Sequence, residues 1–318
     1  MAIPTGPITS HGSKKNIKKP IIMEKKYKLL KNDTIIIDGR TLYRIEALRD
    51  FSDVKKGDKG GFVESEDNLS QEGDCWVANY ARVYGDARVS EDALVWGGCQ
   101  IQGNAHIYGK ADISGTAFIS GETQVFGNAR IYHNAAVVGY AKVFGNAKIY
   151  GNARICEGAQ VFDNACIYDS AEVYDLARVF GNAHICDSAE VYGRARVFGN
   201  AHIYGKAEVH GKAEVYENAS LFDYCDVEGY AHIYGNAQIY GKAEVRDNAR
   251  VYGEAHIHKY ALIYDNYKID NGEVTTSIYK IKQNEQEQND ACKKSISKAA
   301  IISPLNGQRR LKKKMIRR

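Results

Sequence analysis

The amino-acid sequence predicts an all-β fold in which short parallel strands stack into a long solenoid, and three observations carry that prediction. A six-residue phrase repeats 32 times between Val77 and Ile269, and every copy begins with Val, Ile or Leu. Gly, Asp or Asn stands at the third or fourth position of most copies, where the chain must turn. None of the four prolines lies inside the repeat, where proline would remove a hydrogen-bond donor from a sheet.

The six-residue period excludes a helix, because apolar residues six apart drift around a 3.6-residue turn and form no stripe. The period fits strands, in which alternate side chains share a face. The aliphatic first position and the alanine of the fifth position, present in 28 of the 32 copies, then line one buried face. Each copy is predicted to be one short strand and one corner, and stacked copies bury one another's apolar side chains.

The segment before the repeat has a different pattern. Apolar and polar residues alternate on both sides of Asp38 and Gly39, which predicts a β-hairpin with a tight turn. Several glycines mark tight loops after it. Because a solenoid leaves exposed strands at its ends, we expect residues 26–76 to cap the first coil, with Phe62 and Trp76 closing its apolar end.

This organisation divides the chain into four parts. We expect a disordered polar tail at 1–25, the β cap at 26–76, the repeat at 77–269 and a C-terminal extension at 270–318. In the extension we expect a short helix over residues 284–302, followed by a basic tail. The sequence contains no run of about 18 apolar residues, so we expect no transmembrane helix.

Two parts of the sequence resemble a known family. Copies such as VYGDAR and IYGKAE resemble the hexapeptide repeat of left-handed parallel β-helices. The segment before the repeat contains Asp50, Phe51, Asp53, Val54, Gly57, Gly60, Gly61, Val63, Leu69, Ser70, Gln71, Gly73, Asp74, Cys75 and Trp76. On these residues it resembles the start of the YdcK-like hexapeptide-repeat proteins of enteric bacteria, which are labelled acyltransferases. The resemblance implies a left-handed solenoid of triangular coils with three copies each, or roughly 10 to 11 coils.

The resemblance also implies one candidate activity, acyl transfer. Hexapeptide-repeat acyltransferases usually form trimers, with a histidine base on a loop that breaks the repeat and acetyl-CoA or another acyl donor between subunits. This chain departs from that pattern, because no loop interrupts residues 77–269. His184 and His202 lie three copies of the phrase apart and are weak candidates for a base, since no orienting partner or third ligand accompanies them. We assign no catalytic residue and no metal ligand, and expect a cofactor only if the acyltransferase alternative holds.

The second position of the repeat is not equivalent on the three faces. Residues three copies apart share a face, and one face carries an aromatic ring in nine successive coils. Stacked rings stabilise a sheet, whereas a stripe of phenylalanines in water marks a protein contact; the sequence leaves both interpretations open. The nine candidate binding residues are Tyr108, Phe126, Phe144, Phe162, Phe180, Phe198, Tyr216, Tyr234 and Tyr252.

The net charge of +4 is unevenly distributed, because basic residues concentrate at one end of the sequence. Such a tail can contact a polyanion, namely nucleic acid or an anionic membrane, or an acidic partner. The simpler interpretation is a solvated tail, or one that docks on the chain's own acidic body. The candidate polyanion-binding residues are Arg309, Arg310, Lys312, Lys313, Lys314, Arg317 and Arg318.

Seven cysteines without a CxxC pair are typical of a reducing compartment rather than of a disulfide framework or a zinc site. We therefore expect a location in the bacterial cytoplasm. The short polar N-terminus also suits a secreted effector, and that alternative stays open.

Together these observations favour a rigid β-helix scaffold for binding or assembly, whose aromatic face contacts a protein partner or another copy of the chain. The alternative is a trimeric, CoA-dependent hexapeptide-repeat acyltransferase with catalytic residues between subunits. Trimerisation and affinity for acetyl-CoA separate the two predictions.

Overall fold

The computed structural model describes residues 24–277 and 301–302, and over them the chain forms a parallel β-solenoid of about 12 coils. The predicted all-β solenoid is confirmed, while its left hand stays a prediction. One 3-10 turn at Glu66–Asn68 is the helical element of these residues. Nowhere in the described ranges is there a helix long and apolar enough for a membrane crossing.

The segment before the repeat begins with the predicted hairpin. β1 (Tyr27–Ile37) and β2 (Arg40–Ala47) pair antiparallel, and Asp38 and Gly39 adopt left-handed backbone conformations at their turn. β3 (Lys59–Val63) then pairs antiparallel with β2. The hairpin is therefore extended into a three-stranded element before the chain reaches the repeat.

Through most of the repeat, each strand consists of two residues, the last residue of one copy and the first residue of the next. In chain order these strands are β4 (Trp76–Val77), β5 (Arg82–Val83), β6 (Arg88–Val89), β7 (Leu94–Val95), β8 (Gln100–Ile101), β9 (His106–Ile107), β10 (Asp112–Ile113), β11 (Phe118–Ile119), β12 (Gln124–Val125), β13 (Arg130–Ile131), β14 (Ala136–Val137), β15 (Lys142–Val143), β16 (Lys148–Ile149), β17 (Arg154–Ile155), β18 (Gln160–Val161), β19 (Cys166–Ile167), β20 (Glu172–Val173), β21 (Arg178–Val179), β22 (His184–Ile185), β23 (Glu190–Val191), β24 (Arg196–Val197), β25 (His202–Ile203), β26 (Glu208–Val209), β27 (Glu214–Val215), β28 (Ser220–Leu221), β29 (Asp226–Val227), β30 (His232–Ile233), β31 (Gln238–Ile239) and β32 (Glu244–Val245).

The C-terminal end contains longer strands. They are β33 (Arg250–Ile257), which continues across a corner, β34 (Leu262–Ile263) and β35 (Lys268–Val274). β36 (Ile301–Ile302) pairs antiparallel with β35. The helix expected over residues 284–302 lies outside the described residues except for its last two, and those two form a strand instead.

Every third strand stacks in parallel, with partners three copies of the phrase apart, as Ile131 on Ile149 and Ile149 on Ile167 show. Three faces result, and each is named here by its second-position residues. The phenylalanine face contains β6, β9 and every third strand to β30; the tyrosine face contains β4, β7 and every third strand to β31; the mixed face contains β5, β8 and every third strand to β32, followed by β34.

One coil lies in front of the repeat. Val63 and Leu69 pair in parallel with Val83 and Val89, a spacing slightly longer than three copies of the phrase, and both are fully buried. This coil does not follow the six-residue phrase, so the number of coils predicted from the number of copies did not include it. Its presence brings the solenoid to about 12 coils instead of the predicted 10 to 11.

Aromatic residues cover this first coil. Trp76 is nearly buried and packs edge-on against Phe51, with ring centroids 5.4 Å apart, and against Tyr27 at 6.4 Å. Phe62 is also buried, but it lies in a separate cluster with Leu42. The cap function of residues 26–76 stays a prediction.

The core and the corners follow from the repeat chemistry. Ile131 at a first position and Ala135 at a fifth position are both fully buried. The third position is left-handed, at φ 71° in Gly127 and φ 56° in Asp163. This backbone conformation favours glycine and tolerates aspartate, which explains why these residues hold the corner.

Aspartate at the third position also satisfies a backbone amide of the next coil. Asp163 Oδ2 accepts a hydrogen bond from the Gly181 N–H at 3.2 Å, and Asp187 Oδ2 accepts one from the Gly205 N–H at 2.9 Å. The backbone ladder between coils uses the amides of the second, fourth and sixth positions. The acidic side chain therefore supplies a partner that the ladder does not.

Candidate functional site

Nine rings on the phenylalanine face form one continuous column. Phe144 and Phe162 have centroids 4.8 Å apart and ring planes within 2°, and the eight successive pairs from Tyr108 to Tyr252 all stack in this way. No angle between successive planes exceeds 8°. Each ring is therefore nearly parallel to the next one along the whole column.

Each ring of the column is half-buried, and two neighbouring rings cover both faces of the seven inner rings. The sequence raised the interpretation of a stripe of phenylalanines open to water. In the structure less of each ring is open to water than that interpretation assumed, because the ring faces are covered and only the ring edges reach the surface. Arg178 and Arg196 add cover, with guanidinium groups 5.3 Å from the Phe162 and Phe198 ring centres respectively, a distance at which a cation is attracted to an aromatic ring.

An asparagine ladder runs along the corner beside this column. Seven successive coils carry asparagine at the fourth position, and each side-chain amide donates to the next, as Asn146 to Asn164 at 3.0 Å and Asn164 to Asn182 at 3.0 Å. The last of them, Asn236, donates to Glu254 Oε1 at 2.6 Å. Sequence reasoning assigned these asparagines to turn chemistry, and sorting them by coil would have found the ladder.

The tyrosine face carries a similar column that is interrupted. Tyr132, Tyr150 and Tyr168 stack at 4.9 and 5.0 Å, and Tyr204 stacks on Phe222 at 4.9 Å. Cys186 takes the place of the ring between the two segments. Stacking geometry is therefore the same on the two faces, and they differ in continuity and in the hydroxyl groups.

The two candidate histidines lie on the tyrosine face, directly above each other. The imidazoles of His184 and His202 stack with centroids 4.9 Å apart and planes within 3°. Burial lowers the pKa of His184, and the neighbouring His202 and Lys148 lower it further. Within the described part of the chain, no hydrogen bond or ion pair connects either imidazole to a carboxylate, so neither has the orienting partner of a general base.

Three clefts of the described residues lie on the outer surface, between side chains of successive coils. One follows the corner beside the phenylalanine face, past Lys110 and Asn128, a second includes Leu176, and the third includes Tyr240. The histidine pair lines none of these three clefts. His202 is exposed and His184 is half-buried.

Asp169, Cys186 and Asp187, also on the tyrosine face, place potential metal-ligand atoms within 4.8 Å of one another. Burial raises the pKa of the Cys186 thiol, which disfavours the thiolate that a metal would need. Asp187 already accepts a backbone hydrogen bond. The chemistry of these groups therefore gives no reason to assign a metal site.

The mixed face carries a row of carboxylates that sequence reasoning did not single out. Glu190 pairs in register with Glu208, and Glu208 with Asp226, within a run of five acidic residues. Burial raises the pKa of Asp226, the imidazole of His210 at 3.0 Å opposes that shift, and Glu208 adds to it. In-register carboxylates repel one another, which agrees with the contribution of Glu208 to the raised pKa of Asp226. The basic residues 309–318 predicted to bind polyanions lie outside the described residues.

Comparison with known proteins agrees with the geometry. The family model described as the YdcK beta solenoid repeat matches residues 81–97. A relative in Escherichia coli strain K12, described as uncharacterized acetyltransferase YdcK, is 35% identical over 63 residues, which are 18% of this chain and 19% of the relative. The match spans less than a fifth of that relative's length. The chain thus carries a YdcK-like β-solenoid repeat, and the resemblance predicted from its sequence is confirmed.

Proposed function

We propose that this protein is a rigid scaffold that binds or assembles through its phenylalanine face, with a protein partner or another copy of the chain as the occupant. The observation that supports this most strongly is the choice of ring. Five successive residues of the column, from Phe126 to Phe198, are phenylalanine, whereas the tyrosine face uses mostly tyrosine at the same position.

The two kinds of ring stack equally well here. Phe144 and Phe162 lie 4.8 Å apart, and Tyr132 and Tyr150 lie 4.9 Å apart, so stacking alone does not select phenylalanine. The difference lies at the ring edge that reaches the surface. Tyrosine places a hydroxyl there, which water can hydrogen-bond, and phenylalanine places only carbon. A row of apolar edges is suited to a contact from which water is excluded.

The backbone supports a scaffold rather than a moving catalytic element. From Arg82 to Ile257 every strand pairs with the strand one coil further on, and no excursion interrupts the winding. Each coil therefore hydrogen-bonds to both neighbours, and the surface is carried on a continuous ladder. Side chains held on such a ladder keep their spacing, which is what a binding surface requires.

The scaffold is tested by breaking the column and measuring assembly. Light scattering and partner capture are compared for the wild type, for Phe144→Ser with Phe162→Ser, and for the matched control Tyr150→Ser with Tyr168→Ser. We expect the phenylalanine variant alone to lose mass or partner while circular dichroism shows a folded β-solenoid. Equal behaviour of the three proteins would contradict the proposal.

A location in the bacterial cytoplasm is part of the proposal. The six cysteines among the described residues are all free thiols, and three of them, Cys156, Cys166 and Cys186, are only half-buried. Thiols at the surface are typical of a reducing compartment. Detection of the native protein in a secreted fraction would contradict this part and favour the effector alternative.

A CoA-dependent acyltransferase is the second candidate, and the name of the Escherichia coli relative is the observation that favours it. In this alternative three copies assemble, acetyl-CoA binds between them, and His184 or His202 acts as the base. Calorimetric titration with acetyl-CoA tests it together with light scattering. A trimer that binds acetyl-CoA, and whose turnover falls in His184→Ala or His202→Ala, would establish the enzyme and displace the scaffold.

A further inference from the structure

The column on the phenylalanine face has a centre, and the charged residues around it are arranged about that centre. The nine rings run from Tyr108 to Tyr252, so Phe180 lies in the middle with four coils on either side. Resting on the proposed scaffold function, we infer that the occupant of this face is a second copy of the chain. The two copies lie antiparallel, and a two-fold axis passes at the level of Phe180.

A straight column is needed for this arrangement. Successive rings stay within 8° of parallel, so two copies can lie along each other over the full length of the column. At about 4.8 Å per coil the column is roughly 39 Å long. Full overlap of nine rings on nine rings occurs in one antiparallel register, the one with Phe180 at the axis. In that register Phe162, Phe180 and Phe198 meet phenylalanines of the second copy, whereas Phe126 and Phe144 meet Tyr234 and Tyr216.

That register places opposite charges together at both ends. Lys110 and Glu254 both lie at the fourth position, each four coils from Asn182, one toward each end of the solenoid. An antiparallel two-fold axis brings Lys110 of one copy opposite Glu254 of the other, and the reverse pair forms at the far end. Both side chains are exposed, and Lys110 forms no ion pair within the described residues.

The same register pairs opposite charges nearer the axis. Lys142 and Glu214 occupy the sixth position, two coils on either side of Arg178. The two-fold axis places Lys142 of one copy against Glu214 of the other. Within its own copy Glu214 is already paired with Arg196 at 2.6 Å, so Lys142 adds a second cation to this carboxylate. One choice of axis, set by the aromatic column alone, therefore produces two kinds of charge pair, each formed twice.

A parallel pair of copies would not produce these contacts. A two-fold axis along the solenoid sets the fourth position of each coil against the sixth position of the same coil in the second copy. Lys110 would then face His106 and Lys142 would face Asn146, so neither lysine would meet an acidic residue. The opposite-charge pair of that arrangement would be Glu254 with Arg250, at one end of the column. The antiparallel arrangement pairs opposite charges at both ends of the column and nearer the axis. It is therefore favoured by charge complementarity, because unpaired or like charges weaken an interface.

The area is sufficient for a specific contact. A face roughly 39 Å long and about four residues wide, or some 13 Å, has a footprint of about 500 Å² per copy, and about 1,000 Å² in total. That value meets the lower bound for a biological interface.

The arrangement also sets Arg178 against Arg178 of the second copy at the axis. This is the one like-charge contact near the centre of the interface.

Zero-length cross-linking of amines to carboxylates tests the arrangement on the full chain. Within one copy Lys110 and Glu254 are eight coils apart, or about 39 Å, so a cross-link between them can form only between copies. We expect Lys110–Glu254 and Lys142–Glu214 cross-links by mass spectrometry in a mixture of isotope-labelled and unlabelled protein. A dimer without these cross-links would overturn the antiparallel register and leave the scaffold proposal intact.

Charge reversal provides the matched control. Lys110→Glu and Glu254→Lys each place two like-charged pairs at the interface, and each is expected to weaken the dimer about tenfold. The two changes together restore opposite charges, so the double variant is expected to recover wild-type affinity. Arg178→Gln is expected to tighten the dimer, because it removes the contact between like charges at the axis. Failure of the double variant to recover would overturn the inference, and a wild-type protein that is monomeric at every concentration would overturn both this inference and self-assembly through the phenylalanine face.

Discussion

The phenylalanine and tyrosine faces are built from the same six-residue phrase. Comparing them distinguishes the features that the fold requires from the features that belong to one surface. On both faces second-position rings stack at 4.7 to 5.0 Å with nearly parallel planes. The phenylalanine face is continuous, mostly without hydroxyls, and flanked by an asparagine ladder. The tyrosine face is interrupted at Cys186 and carries the histidine pair. Stacking is therefore a property of the repeat, and the continuous row of carbon edges is a property of one face.

The largest difference between the faces is expected when two neighbouring rings are removed. Phe144→Ser with Phe162→Ser removes three stacked pairs, whereas Tyr150→Ser with Tyr168→Ser removes two, because Cys186 already ends the second column. Each pair contributes about 0.5–1.5 kcal/mol beyond the burial of the rings. We expect the phenylalanine variant to lose at least about 3 kcal/mol of unfolding free energy and the tyrosine variant about 1 kcal/mol less. Urea denaturation checks this, and equal losses would contradict it.

Filling the gap should make the tyrosine face behave like the phenylalanine face. Cys186→Tyr adds a ring between Tyr168 and Tyr204 and so creates two stacked pairs. Because the backbone is the same in every coil, we expect the free energy of unfolding to rise by about 1–2 kcal/mol. The reciprocal variant Phe162→Cys should lower it by at least as much. A destabilised Cys186→Tyr protein would show that the two columns differ in more than continuity.

The asparagine ladder should contribute less than the rings. Asn164 takes part in two side-chain hydrogen bonds along the ladder, and Asn152, at the tyrosine-face corner, takes part in one. Since an exposed hydrogen bond contributes about 0.5 kcal/mol at the lower end of the usual range, Asn164→Ala should cost about 1 kcal/mol. Asn152→Ala should cost about half of that. Thermal melts of the two variants check the order, and a larger loss in Asn152→Ala would be inconsistent with a ladder.

The histidine pair gives the smallest expected effect. The folded-state pKa of His184 lies below its ordinary value of 6.5. Below that value the unfolded chain therefore binds more protons than the folded chain, and stability is lost as the pH falls through 6.5 toward the folded-state pKa. His184→Gln should reduce the loss by less than about 0.5 kcal/mol, because solvent screens a partly exposed ring. Thermal melts at about pH 7 and about pH 5 check this, with His133→Gln as the control. A greater loss of stability on acidification in His184→Gln than in the wild type would contradict the expected sign of the effect.

Much of the fold was predictable because burial follows the phrase directly. Because side chains alternate with a period of two along a strand, first and fifth positions such as Ile131 and Ala135 were predicted to share the core. The coil at Val63 and Leu69 was not predictable in that way, since its spacing to the next coil does not match the phrase. There the core is continued by residues that no repeat identifies.

The sequence predicted which residues form the candidate site, but it did not predict how much of each side chain is exposed to water. Sorting the second positions by coil identified the column from Tyr108 to Tyr252, and the structure stacks all nine rings. How much of Phe162 reaches water depends on the rings above and below it and on Arg178, which a sequence pattern does not reveal. The asparagine ladder was overlooked for a related reason, because each member of it satisfies the turn by itself.

Assembly through the phenylalanine face depends most on the absence of hydroxyls from the five phenylalanine rings, and one measurement isolates that feature. Changing Phe126, Phe144, Phe162, Phe180 and Phe198 together to tyrosine keeps every stacked pair and adds five hydroxyls. Light scattering of this variant should give a single chain of 35.4 kDa with an unchanged melting temperature, while the wild type gives twice that mass. The same mass for both proteins, at equal stability, would contradict the account and leave the column as a stabilising ladder alone.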